Sequence, residues 1–265
     1  MDMKLRGRRV AITGASAGIG AATAHAFAAE GAHLLLCARD ATRLQALADA
    51  VHAQHGAAVE VAPTDLRDAD QLQAFARRLS DIDILVNNAG DIPGGTLLQV
   101  DDVRWRQAWE LKLMGYIQLC RLAYETLRGR GGVIVNNIGA AGEAANFGYI
   151  AGATANAALM SFTRSLGSMS LFDNVRVVGV NPGAVGTERS RQLKRAESIR
   201  RWGDDARVQE LFDELPLGRP AHPEEVADLI VFLASPRAAY ISGSIHTIDG
   251  GGGKRPPQPA GTVSS

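Results

Sequence analysis

Short apolar runs alternate with longer helical patterns along almost the whole chain, and this rhythm constrains the fold more than any other feature. Val10-Ala11-Ile12-Thr13 reads as a buried strand. A glycine-rich turn follows it, then a helical pattern from Ile19 to Glu30 that Gly31 is fit to cap. Further strands are expected at Leu34–Cys37, Ala58–Ala62, Ile82–Asn87, from Val133, at Val175–Val180 and at Ser244–Ile248. Helices are expected at about 41–55, 68–79, 101–128, 149–172 and 223–234, the last opened by Pro223-Glu224-Glu225.

These strands are continuously apolar rather than alternating, which calls for a parallel sheet covered on both faces. The expected architecture is α/β: one doubly wound domain over residues 1–253 with helices on both faces. Two segments break the rhythm. Glu188 to Leu215 is charged and helical, and it interrupts the strand–helix order. From Gly250 onward the chain is rich in Gly, Pro and Ser, and 254–265 is expected to be a disordered tail.

Composition excludes several functions. With 28 basic and 28 acidic residues the formal net charge is zero, which argues against a nucleic-acid partner. No apolar run reaches the roughly 18 residues of a membrane span, so no membrane role is expected. Met1 to Arg9 leads into a short, broken apolar run, unlike a signal peptide. Two cysteines, Cys37 and Cys120, build no disulfide framework, so a cytoplasmic, reduced protein is expected. The six histidines show no metal-ligand spacing, and no metal site is expected. Only four of the basic residues are lysine: Lys4, Lys112, Lys194 and Lys254.

Three polar segments are expected at the carboxyl ends of strands, where open α/β sheets bind ligands. They are Thr13-Gly14-Ala15-Ser16-Ala17-Gly18-Ile19-Gly20, Asn87-Asn88-Ala89-Gly90 and Asn181-Pro182-Gly183-Ala184-Val185-Gly186-Thr187. The first opens a helix, where free N–H groups and the helix dipole suit a pyrophosphate. Together with Asp65-Leu66, Tyr149 and the stretch from Leu217-Gly218-Arg219-Pro220 to Asp249-Gly250-Gly251, they make the chain resemble the short-chain dehydrogenase/reductase family over residues 10–251. The resemblance implies a Rossmann-like fold and a dinucleotide at Gly14, Ser16, Gly18, Ile19 and Gly20. It also implies an adenine contact at Asp65 with Leu66, further cofactor contacts at Asn88, Ala89, Gly90 and Tyr149, and nicotinamide contacts at Pro182, Gly183 and Thr187. A homo-oligomer, tetramer or dimer, is implied as well. At the end of the second strand, Ala38 holds the place where NAD-selective members carry a carboxylate. Arg39 beside it suits a 2′-phosphate, so NADP is expected over NAD, while Asp40 is expected to cap the next helix.

The catalytic pattern of the family breaks. Tyr149 stands at the tyrosine position, but the lysine position four residues later is Ala153. The serine position falls on Gly139 or Ala140, and no Ser or Thr occurs between Asn137 and Tyr149. The asparagine position of the long fourth helix is Lys112. A free tyrosine ionises near pH 10 and needs help to work as an acid or base near neutrality. Lys112, set among Leu111, Leu113 and Met114, is expected to bring a relocated ammonium to Tyr149; a structural ion pair at a subunit interface is the competing role. Asn136 and Asn137 should face opposite sides of the sheet. Asn156, Asn146 and Glu143 are expected to be structural. Trp105 and Trp109 are expected to pack on a helix face.

The expected activity is an NADP-dependent carbonyl reductase or alcohol dehydrogenase, similar to 3-oxoacyl reductases, acting on a small carbonyl or alcohol substrate through Tyr149 and Lys112. The charged insertion is expected to be the substrate lid. A non-catalytic dinucleotide sensor and a lyase or epimerase of the same fold remain as alternatives.

Overall fold

The computed structural model describes residues 2–252. Seven parallel strands form one sheet: β1 (Arg9–Thr13), β2 (His33–Ala38), β3 (Val59–Pro63), β4 (Ile84–Asn87), β5 (Val133–Asn137), β6 (Arg176–Pro182) and β7 (Ile245–Ile248). Their spatial order is β3-β2-β1-β4-β5-β6-β7. Winding reverses between β1 and β4, which opens a crevice at their carboxyl ends. The register Val10↔Ile84 and Ile12↔Val86 sets that crevice directly above Thr13 and Asn87.

Helices α1 (Gly18–Ala29), α2 (Ala41–His55), α3 (Ala69–Arg77), α4 (Asp102–Trp109), α5 (Gly115–Arg130), α6 (Ile150–Gly167) and α9 (Pro223–Ala234) cover the sheet. Side chains alternate between its faces: Val10 and Ile12 join one core with Phe27, Leu36 and Ile230, whereas Ala11 joins a second with Leu35, Phe75 and Leu119. Both faces of the central strands are therefore dry, which is why β1, β2, β4, β5 and β6 are largely apolar, while the edge strands β3 and β7 are only partly buried. Truncating Phe27, fully buried between α1 and the sheet, would cost about 3–5 kcal/mol. The expected single domain and doubly wound sheet are what the structure contains.

Helix ends follow local chemistry. Asp40 accepts from the Arg43 N–H at 3.0 Å and so caps α2, as expected. Gly31 lies just past α1 with φ +77°, a conformation that suits glycine. The helix expected at 101–128 is not uniform: Glu110–Met114 forms a π-helical turn between α4 and α5. The helix expected at 149–172 ends at Gly167, where a Cβ would lie 2.4 Å from the Gly243 nitrogen. A 3₁₀ turn at Ser170–Asp173 follows it. The charged insertion folds as α7 (Glu188–Trp202) and α8 (Val208–Asp213). Gly250–Gly252 form a turn, with the Gly252 N–H donating to the Asp249 carbonyl at 3.1 Å. The expected tail at 254–265 lies outside the described residues. No described helix is long and apolar enough to cross a membrane.

Candidate active site

The crevice above β1 and β4 is a cleft of about 720 Å³. Its floor is the glycine turn. Gly14 and Gly18 have φ of +63° and +55°. A Cβ on Gly14 would sit 2.7 Å from Ala89 Cα, and one on Gly18 would sit 2.9 Å from Thr187 Cγ2. Three of the expected segments therefore meet at van der Waals distance through these two glycines. Thr13 and Asn88 bind the segments together: Thr13 Oγ1 accepts from the Asn88 and Ala89 N–H groups, and Asn88 Nδ2 donates to the carbonyls of Thr13 and Gly14.

The amino end of α1 differs from those of α2, α3, α4 and α7. Asp40 caps α2, Asp68 caps α3, Asp101 caps α4 and Thr187 caps α7, but Ala17 supplies no side-chain cap to α1. Its first-turn N–H groups are left for an anion, and no acidic side chain lies in that turn. This cradle, closed to any Cβ and open to a pyrophosphate, fits a dinucleotide.

Most expected cofactor residues line the cleft: Gly14, Ser16, Gly18, Ile19, Arg39, Leu66, Asn88, Ala89, Gly90, Tyr149, Pro182, Gly183 and Thr187. Two do not. Gly20 lies one turn into α1, where a Cβ would fall 2.2 Å from the Gly14 carbonyl, so it serves close packing instead. Asp65 turns to Arg67, whose Nε and Nη2 donate to its two oxygens at 3.0 and 2.6 Å. That hydrogen bond holds the Asp65 carboxyl below its usual range. Thr64 and Leu66 form the cleft wall there instead. Arg43, which the sequence pattern did not single out, lines the wall beside Arg39 because one turn of α2 brings it back to the rim. The Arg39 side chain is 49% exposed and lies 3.6 Å from Asp91.

Lys112 sits in the π-turn and lines the same cleft as Tyr149. Its Nζ donates to the Ile138 carbonyl at 2.5 Å. One turn on, Tyr116 donates to the Asn137 carbonyl at 3.0 Å, so the two side chains tie the end of β5 to this helix. The Lys112 amine pairs with no carboxylate among the described residues. Burial, and then the charge of Arg189, push its pKa down to about 7.

Tyr149 precedes the first turn of α6 and packs with Ile92, Trp105 and Trp109. Trp105 and Trp109 stand edge to face at 6.0 Å, and Trp109 Nε1 donates to the Ala151 carbonyl. They support the tyrosine from behind, as their packing role requires. The Tyr149 hydroxyl makes no hydrogen bond to Lys112 or to any other described residue.

Asn136 and Asn137 face opposite sides, as expected. Asn136 is buried between Asn87 and Thr163, at 2.9 Å from each. Asn137 lines the cleft and donates to Asn88 Oδ1 at 2.7 Å. Glu143 binds Asn181 and Thr247, outside the cleft lining.

The start of the charged insertion, through Glu188, Arg189, Ser190 and Leu193, borders the cleft. Arg189 pairs with Asp91 at 2.7 Å and also donates to the Ile92 carbonyl. Leu193 lines the cleft and approaches Gly94. Arg201 and Arg207 stack on Trp202 and pair with Glu214 and Glu210. Of the arginines in this insertion, Arg189 alone lines the cleft.

Comparison with known proteins agrees with this geometry. A family profile described as Enoyl-(Acyl carrier protein) reductase matches residues 14–252. The chain is 33% identical over 252 residues to galactitol 2-dehydrogenase (L-tagatose-forming) of Cereibacter sphaeroides, covering 94% of this chain and 96% of that protein. The L-sorbose reductase of Gluconobacter frateurii, solved with NADPH and L-sorbose, superposes with a TM-score of 0.89 at 35% identity, covering 97% of this chain and all of that one. A 7α-hydroxysteroid dehydrogenase, solved with NADH and 7-oxo glycochenodeoxycholic acid, superposes at 0.85 with 29% identity, covering 96% and 97%. The chain belongs to the short-chain dehydrogenase/reductase family of NAD(P)-dependent oxidoreductases.

Proposed function

We propose that the protein is an NADP-dependent carbonyl reductase or alcohol dehydrogenase in which Tyr149 and Lys112 handle the proton. The observation that carries this reading is the position of Lys112 Nζ, held against the Ile138 carbonyl in the wall of the cleft that Tyr149 also lines. An amine with a pKa near 7 exchanges its proton at physiological pH, which an ordinary lysine does not. Ala153 leaves α6 without the family's cation, and Lys112 is the lysine that lines the cleft.

The roles follow from placement. Gly14, Gly18 and the uncapped end of α1 would hold the pyrophosphate of a dinucleotide, and Pro182, Gly183 and Thr187 would take its nicotinamide end. NADP, when bound there, would supply or accept the hydride. Tyr149 gives its hydroxyl proton to the substrate oxygen in reduction and takes it back in oxidation. Lys112 Nζ resupplies that proton from the cleft wall, with the Ile138 carbonyl fixing its direction. Arg189 and Leu193 roof the site and restrict water. Arg39 and Arg43 flank the end of β2, where a 2′-phosphate would meet two guanidinium groups in competition with Asp91, which lies by Arg39, and Asp40, which pairs with Arg43. Asp65 remains a candidate adenine contact through its backbone or after release from Arg67.

The substrate is a small carbonyl or alcohol. The family resemblance further supports a cytoplasmic homo-oligomer, which sedimentation would check. The direct test is NADPH oxidation across a panel of ketones, aldehydes and acyl thioesters, repeated with Lys112→Ala and Tyr149→Phe. Losses of about 10²-fold or more in both variants are expected. Equal rates in all three proteins would remove both side chains from the mechanism. Cofactor binding without turnover of any substrate would favour the sensor reading.

A further inference from the structure

One carboxylate, Asp91, stands between two arginines of the cleft wall. Its Oδ1 accepts from Arg189 Nη1 at 2.7 Å, and its Oδ2 lies 3.6 Å from Arg39 Nη2. The first contact is a hydrogen-bonded ion pair, whereas the second is too long for a hydrogen bond. All three residues line the cleft, and their side chains are 39–53% exposed, so each is open to a ligand there. They come from distant parts of the fold: Arg39 follows β2, Asp91 follows β4 and Arg189 lies in the first turn of α7, beyond β6.

Arg189 commits its fork to one segment, since Nη2 donates to the Ile92 carbonyl while Nη1 holds Asp91. The charged insertion is thereby anchored to the chain after β4. Arg39 is less committed, with its one long contact to the same carboxylate. Neighbouring charges have partners of their own: Asp65 holds Arg67, and Asp40 pairs with Arg43.

Asp91 carries one negative charge and cannot serve both arginines fully. A phosphate monoester carries about −1.5 to −2 near pH 7 and engages a guanidinium through two oxygens. At Arg39 it would displace the long contact to Asp91, and its charge would repel that carboxylate toward Arg189. A ribose hydroxyl would do neither.

We propose that Asp91 couples the 2′-phosphate site at Arg39 to the anchoring of the charged insertion by Arg189. A cofactor with the phosphate takes Arg39 and leaves Asp91 wholly to Arg189; a cofactor without it leaves the carboxylate divided. Asp91 thus restrains the preference for NADP and turns that preference into a tighter lid. The inference rests on the NADP reading of Arg39. Coupling of this kind is reciprocal, so a change at Arg189 must be felt at the phosphate site.

The probes are 2′,5′-ADP and 5′-AMP, which differ by the 2′-phosphate and carry no nicotinamide. Calorimetric titration gives the ratio of their affinities, expected to favour 2′,5′-ADP by about 10–100-fold in the wild-type protein. Asp91→Asn should raise that ratio about 2–5-fold, because the competitor for Arg39 is gone. Arg189→Met should lower it about 2–5-fold by freeing Asp91 for Arg39, and should leave it unchanged when added to Asp91→Asn. Tryptic cleavage within α7 should be slowed by 2′,5′-ADP in the wild-type protein, but not by 5′-AMP and not in Asp91→Asn. An equal effect of Arg189→Met in both backgrounds overturns the coupling, because a long-range field then suffices. An unchanged or lowered ratio in Asp91→Asn, or cleavage indifferent to 2′,5′-ADP, also overturns it. Each of these results leaves the NADP reading standing if the wild-type protein prefers 2′,5′-ADP. Equal wild-type affinity for the two probes removes the NADP reading itself, and the coupling with it.

Discussion

The ring of Tyr149 lies over Gly152, so closely that a Cβ on Gly152 would fall 2.0 Å from Tyr149 Cε1. The phenol folds back along the first turn of its own helix, and the position beneath it is open only to glycine. Ile92, Trp105 and Trp109 close on the ring, which leaves it little freedom to move aside.

Gly152→Ala tests this contact. Helix propensity alone would reward alanine by up to about 1 kcal/mol. We expect the opposite: a destabilised protein, with kcat lowered about tenfold or more because the hydroxyl is displaced. Thermal unfolding and steady-state kinetics check both effects.

Lys112 makes stability depend on pH. Its pKa falls from the ordinary 10.5 to about 7 on folding. Between these values the unfolded chain holds a proton that the folded chain releases, so stability rises with pH through that window. Lys112→Met carries no such penalty. It should melt about 3–8 °C above wild type at pH 6, with the gap closing toward pH 10. Parallel melting curves at both pH values would contradict an amine whose pKa falls on folding.

Arg39 and Arg43 set cofactor choice in the proposed function. Arg39→Asp should lower the NADP-to-NAD ratio of kcat/KM by about 10–100-fold, since it removes a charged hydrogen bond and adds repulsion to the phosphate. Arg43→Ala should act in the same direction with smaller effect.

Arg176 is a structural cation. It is buried, and its guanidinium donates to the carbonyls of Leu233, Ala234 and Ser235 at 2.7–3.1 Å, closing the carboxyl end of α9. Burial lowers its pKa to about 10. Arg176→Met should cost about 2–4 kcal/mol in chemical denaturation by leaving these carbonyls without donors.

Much of this was legible in the order of residues. Apolar strands, the glycine turn and Asn87-Asn88-Ala89-Gly90 depend on local pattern and on close backbone approach, and both leave direct marks in sequence. Asp40 as a helix cap and Asn136 facing away from Asn137 follow from neighbours one to three residues apart. The π-turn at Glu110–Met114 leaves no such mark, because one extra residue per turn hardly changes the apolar period. That Arg67, two residues away, holds the Asp65 carboxylate leaves no mark in the motif that singles Asp65 out. Arg43 on the cleft rim and Gly152 under Tyr149 depend on how elements meet in space. The absence of a serine near Gly139 was plain; that a Cβ at 139 would lie 2.8 Å from Asn156 Nδ2 was not.

The pH dependence of kcat/KM for carbonyl reduction, in wild type and Lys112→Met, tests the central role of Lys112 most directly. Wild-type kcat/KM should fall as pH rises through about 7, where the amine loses its proton, and Lys112→Met should be about 10²-fold slower with no inflection there. A variant that keeps the wild-type rate and the same inflection would contradict the assignment of the proton relay to Lys112.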